Sequence, residues 1–168
     1  MKQLLTVLTC ALLFYITTAK AQDSCACCSA DHKAFDFWIG DWDVFDTTGK
    51  KIGQNSIEKI EDGCLLNEQW KSPFSTGRSY NYFNRNDSTW NQVWMDNAGN
   101  PLVLKGGFEN GSMVMYTEPY TDKGGLEIKS RLRWTLESDG SVSQIWEALN
   151  LDGKVEYLIF HGIYRKKK

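Results

Sequence analysis

Histidine is scarce: the 168-residue chain holds two, His32 and His161. A three-histidine zinc centre is thereby excluded, and a His-dependent Ser or Cys triad would have to use one of these two. Positive charge is not in excess either. The formal net charge is −2 at pH 7, and no basic stripe runs along the chain, which argues against a nucleic-acid partner. The terminal Arg165-Lys166-Lys167-Lys168 reads as a solvated tail. Beyond residue 21 no run is long and apolar enough for an integral membrane anchor, which takes about 20 apolar residues. Helical periodicity is missing over the same stretch.

What is present begins with an export signal. Lys2 is a one-charge n-region, Leu4 to Ile16 is an uncharged apolar run, and Ala19-Lys20-Ala21 is a small-x-small cleavage site. This is the anatomy of a secretory signal peptide over residues 1–21. The expected destination is the periplasm or the extracellular space. Val7-Leu8-Thr9-Cys10 loosely resembles a lipobox, but it lies inside the apolar run, where cleavage would leave almost no signal. Losing Lys2 and Lys20 leaves 17 basic against 21 acidic residues from Gln22 onward. That length suits one domain, and such a chain buries about two-thirds of its unfolded surface.

The remainder reads as strands. Alternating, aromatic-rich runs are Phe35–Phe45, Gly53–Ile60, Leu65–Lys71, Arg78–Asn84, Thr89–Asp96, Leu102–Phe108, Ser112–Glu118, Leu126–Leu136, Val142–Leu149 and Val155–Arg165. The breaks between them carry turn chemistry, such as Asp62-Gly63, Asn97-Ala98-Gly99-Asn100, Lys123-Gly124-Gly125 and Asp152-Gly153. Short turns imply an antiparallel meander. About ten strands are too many for a comfortable open sheet, and closure removes exposed edges. The expectation is an all-β, antiparallel up-and-down barrel over residues 35–168, preceded by a Cys-rich segment at 22–34. A β-sandwich would show longer crossovers.

Period-two alternation sorts each strand into faces. Trp38, Gly40, Trp42 and Val44 share one face, as do Trp90, Gln92, Trp94 and Asp96. Ile128, Ser130, Leu132 and Trp134 oppose Lys129, Arg131 and Arg133, and Val142, Gln144, Trp146 and Ala148 form another set. Amides between aromatics need partners when buried. A mixture of rings and a few polar groups is what small-ligand pockets are made of. The candidate lining is Glu68, Trp70, Tyr80, Gln92, Trp94, Gln144, Trp146 and His161, and the expected partner is a small hydrophobic or aromatic molecule. No catalytic residue and no cofactor is assigned. The alternative is an enzyme using Glu68 or Asp96 as general base, which requires two titratable groups converging on one cavity. Glu68, Asp96 and Glu147 lie among aromatics, but a glycosidase pair is defined by a separation that sequence does not give. His161 reads as a wall residue, with haem ligation as its alternative.

Cys25-Ala26-Cys27-Cys28, with His32 close behind and Cys64 further on, is the most unusual local feature. An exported chain oxidises its thiols, and four Cys allow three pairings. Cys27 with Cys28 would be strained, so the favoured disulfide joins Cys64 to one of Cys25, Cys27 and Cys28. A soft metal site from Cys25, Cys27, Cys28 and His32 or Cys64 is the alternative. A redox-active Cys25-x-x-Cys28 normally sits on a thioredoxin-like scaffold, which this strand pattern does not supply.

Three stretches carry a family resemblance: Phe35-Asp36-Phe37-Trp38-Ile39-Gly40-Asp41-Trp42, Asp62 to Trp70, and Trp90 to Asp96. The Gly-x-Trp in the first resembles the opening of lipocalin-like, calycin-type barrels, and together the three resemble a family of uncharacterised bacterial exported proteins. The resemblance implies a barrel whose Trp plugs one end, with an Arg late in the last strand packed on it. Arg165 stands where that Arg is expected. The resemblance implies no activity.

Overall fold

The computed structural model describes residues 25–167. The signal peptide expected at residues 1–21, and Cys10 within it, lie outside the described residues. The chain forms eleven strands: β1 (Gly40–Phe45), β2 (Lys51–Ile60), β3 (Leu65–Lys71), β4 (Thr76–Asn84), β5 (Thr89–Asp96), β6 (Pro101–Glu109), β7 (Ser112–Tyr116), β8 (Tyr120–Thr121), β9 (Glu127–Leu136), β10 (Val142–Leu149) and β11 (Val155–Lys166). Each long strand pairs antiparallel with the next, and β11 pairs with both β10 and β1. Ten strands therefore close into an up-and-down barrel. The two-residue β8 is an addition to the start of β9.

The expected strand from Phe35 begins five residues late. Phe35 and Trp38 are both fully buried and stack with ring centroids 4.9 Å apart. A spacing of three puts two residues on one side of a tight helical turn, not of a strand. Asp36–Trp38 accordingly forms a 3-10 turn, with Trp38 N donating to Phe35 O and Ile39 N to Asp36 O. Before it lies a single helical turn, α1 (Ala30–Lys33), capped by the Ser29 hydroxyl. This N-terminal segment is the plug of the barrel. Phe35 packs edge-on to Trp90 and Trp134, and Trp38 lies against Trp134 and Tyr164. Trp38, Trp42 and Trp134 are each 0% exposed.

Several bonds hold the plug to the wall. Cys27 is disulfide-bonded to Cys64, just before β3, with Cα atoms 5.0 Å apart. That pairing spans 37 residues, and closing such a loop is worth about 3–4 kcal/mol of chain entropy. Lys59 holds Asp36 at 2.6 Å, Trp90 Nε1 donates to Asp31 O, and Arg85 donates to Ala26 O. A second disulfide joins Cys25 to Cys28. The four cysteines among the described residues are thus paired as disulfides, not as a thiolate metal set, and two disulfides suit an oxidising compartment. No helix among the described residues is long and apolar enough to cross a membrane.

Candidate functional site

The inward faces of β2 to β5 carry a connected polar belt. Asn55 Nδ2 donates to Glu68 Oε1 at 2.7 Å and the Ser79 hydroxyl donates to Glu68 Oε2 at 2.6 Å. Asn81 Nδ2 donates to Ser79 Oγ at 2.8 Å, and Gln92 Nε2 to Asn81 Oδ1 at 2.6 Å. All five side chains are buried. Register explains the convergence, because Glu68 stands opposite Ser79, and Asn81 opposite Gln92. Across the barrel the Tyr164 hydroxyl donates to Gln144 Oε1.

Among the described residues no cation is paired with Glu68. Burial drives its pKa up to about 7, and the hydroxyl of Ser79 and amide of Asn55 only partly offset that. Burial and the neighbouring Glu68 also raise Tyr164. The Asn55 Oδ1 atom is buried and has no hydrogen-bond partner among the described residues. A protonated Glu68 supplies the missing donor if the Asn55 amide turns over.

The two ends of the barrel differ. At the plugged end Phe35, Trp38, Trp90 and Trp134 are buried, while Phe37 and Phe83 around them are half-buried. At the other end, Trp70, Trp94, Leu102, Trp146 and Phe160 point inward yet stay half-buried. Two of these rings lie over glycines: a Cβ on Gly53 would collide with the Trp70 ring, and one on Gly77 with the Trp94 ring. The missing side chains leave room for the rings to lie flat along the wall. Trp70 also meets Phe160 edge-on at 6.2 Å, and Trp146 Nε1 donates to Ser130 Oγ.

Six of the eight expected lining residues, Glu68, Trp70, Gln92, Trp94, Gln144 and Trp146, therefore face inward. Tyr80 and His161 do not. Tyr80 pairs with Val93 and is 52% exposed on the outer wall. Tyr80 is one residue out of phase with Ser79 and Asn81, and a strand alternates strictly. His161 is likewise out of phase with Phe160, Gly162 and Tyr164; it pairs with Ile145 and lies beside the Ser143 hydroxyl. Outward placement removes His161 from any interior haem. The sequence reading missed Asn55, Ser79 and Asn81, although alternation with Ile57 and Phe83 was a usable signal.

The carboxylates that the alternative, enzymatic reading requires do not converge. Asp96 caps the β5–β6 turn, accepting from the backbone of Ala98 and Asn100, and Glu147 is paired with Arg131 at 2.6 Å. Neither touches Glu68. His32 is buried at the plug, bonded to Ser29 and within reach of Arg85; burial, and then the charge of Arg85, lower its pKa.

Two depressions stand out among the described residues, and both are on the outer wall. The larger, about 680 Å³, follows the paired row Asn55, Trp70, Gly77 and Asp96, and is flanked by Gln54, Gln69, Arg78 and Met95. The second, about 510 Å³, lies by Asp43, Phe45, Lys51 and Arg165. No model of a known protein family matches the chain, and no curated protein is detectably similar to it in sequence.

Proposed function

We propose that this is an exported binding protein that takes a small, mainly aromatic or apolar molecule at the open mouth of its barrel. One observation carries the reading: three tryptophans and a phenylalanine, Trp70, Trp94, Trp146 and Phe160, gather at the open end and stay half-buried, whereas the tryptophans of the plugged end, Trp38, Trp90 and Trp134, are buried. A ligand lying on those rings completes their burial, and aromatic contacts of this kind contribute about 0.5–1.5 kcal/mol each beyond area. Beneath them the belt of Asn55, Glu68, Ser79, Asn81 and Gln92 offers polar groups to one end of the ligand. A belt built only for stability gains little from a carboxyl with no cation beside it, since burying an unpaired charge is costly even when it is hydrogen-bonded. The expected export signal and the lipocalin-like opening motif agree with a soluble carrier outside the cytoplasm.

Titration with anilinonaphthalene sulfonate, read by tryptophan fluorescence, tests this. Saturable one-to-one binding is expected, weakened about fivefold to tenfold in Trp94→Ala. Native mass spectrometry of the purified chain reports any retained ligand. Absence of saturable probe binding together with an unliganded mass would overturn the reading.

A further inference from the structure

We propose that Cys25–Cys28 is a thiol–disulfide exchange site, distinct from the mouth and independent of what binds there. The two disulfides of the N-terminal segment are placed differently. Cys27–Cys64 is the anchor: it spans 37 residues, and Cys27 is 7% exposed. Cys25–Cys28 spans three residues, and both cysteines are exposed. The short bridge ties nothing to the barrel. The segment is already held by Cys27–Cys64, by Arg85 on Ala26 O and near Cys27 Sγ, by Trp90 on Asp31 O, and by Lys59 on Asp36. Arg85 grips the backbone between Cys25 and Cys28, so this stretch keeps its place when the short bridge opens. A solvent-facing disulfide that carries no structural load is open to attack, whereas in the anchor beside it Cys27 is buried and Cys64 only partly exposed.

The co-reactant is a small thiol of the glutathione class, or a dithiol. Its thiolate attacks one sulfur of the Cys25–Cys28 bond. A mixed disulfide forms, the S–S bond breaks, and the other cysteine leaves as a thiolate that takes a proton from solvent. A second external thiolate attacks the external sulfur of the mixed disulfide. The external pair departs as its own disulfide, and Cys25 and Cys28 are left as two thiols, reduced by two electrons. The reverse sequence reoxidises them.

The test incubates the oxidised full-length mature protein in glutathione buffers of graded ratio, followed by acid quench, alkylation and peptide mass mapping. Cys25 and Cys28 are expected to be labelled together, at least about tenfold faster than Cys27 and Cys64, with near-ultraviolet circular dichroism unchanged and a glutathione adduct on one of the pair. A Cys25→Ser/Cys28→Ser variant is expected to fold with an unchanged spectrum and to lose that early labelling. Opening of both disulfides at one rate, resistance of both until the chain unfolds, or loss of the folded spectrum in the double variant would each overturn the proposal.

Discussion

The Lys166 ammonium lies 4.3 Å from the centroid of the Trp42 ring. The same ammonium donates to Ile39 O, so one side chain bridges the last strand, the plug and the first strand. Register decides which cation does this. Trp42 pairs with Lys166, and Asp43 with Arg165, so Arg165 points to the other face and covers Phe45 at 5.0 Å. The expectation that Arg165 packs on the Gly-x-Trp tryptophan is corrected by one residue.

Lys166→Ala is expected to lower stability by about 1 kcal/mol in urea denaturation, with a changed near-ultraviolet signal from Trp42. Arg165→Ala is expected to leave that signal alone. Gly40→Ala is expected to cost about 1–3 kcal/mol. Its φ is +130°, outside the range of side-chain-bearing residues, and its Cβ would meet Lys166 Nζ. The ammonium can swing away, so most of the loss comes from the backbone; a Gly40→Ala protein as stable as the parent would exclude that account.

Glu68 makes the fold lose stability as pH rises from the acid range to neutrality. Its folded pKa, about 7, lies above the ordinary 4.5, so between those values the native state binds more protons than the unfolded one. Its contribution to stability is then full below about pH 4.5 and falls as pH rises through 7, by a few kcal/mol at most, since one proton costs about 1.4 kcal/mol for each pH unit crossed. Glu68→Gln removes this slope, and turning the Asn55 amide gives the new side chain a partner. Chemical denaturation at pH 5 and pH 8 is expected to show a smaller difference for the variant. Equal differences in parent and variant would place the titration elsewhere.

The anchoring disulfide is expected to carry most of the covalent stabilisation. Cys27→Ser/Cys64→Ser should lose about 3–4 kcal/mol, visible as a lower urea midpoint. It should also loosen Phe35 and Trp38, reporting as a red shift of tryptophan emission.

The mouth glycines set the pose of the rings. Gly77→Ala drives a carbon into the Trp94 ring, and overpacking of this kind costs about 1–3 kcal/mol. Lower probe affinity with the urea slope unchanged is expected. Unchanged affinity would mean that Trp94 does not touch the probe.

Alternation and turn chemistry determined most of the architecture. Ten runs separated by Gly, Asn and Asp turns, each with one apolar face, admit few solutions besides a closed meander. The inward placement of Gln92, Trp94, Gln144 and Trp146 follows from parity alone. Parity also held against Tyr80 and His161, whose neighbours Ser79, Asn81, Phe160 and Tyr164 occupy the inner face. The staple from Cys64 was legible because the expected oxidising compartment and a strained neighbour pair left few choices, but which cysteine it takes required coordinates. Tertiary structure alone decided three further matters. Phe35 and Trp38 left the first strand because both rings find burial inside the barrel end, which a tight turn permits and a strand forbids. Lys166 reached Trp42 ahead of Arg165 because β11 closes on β1 in one register. Glu68 became a buried acid because Asn55 and Ser79, 13 and 11 residues away in the chain, meet it only when β2, β3 and β4 pair. Local pattern sets faces and turns; which faces meet, and at what depth, depends on register summed around a closed wall.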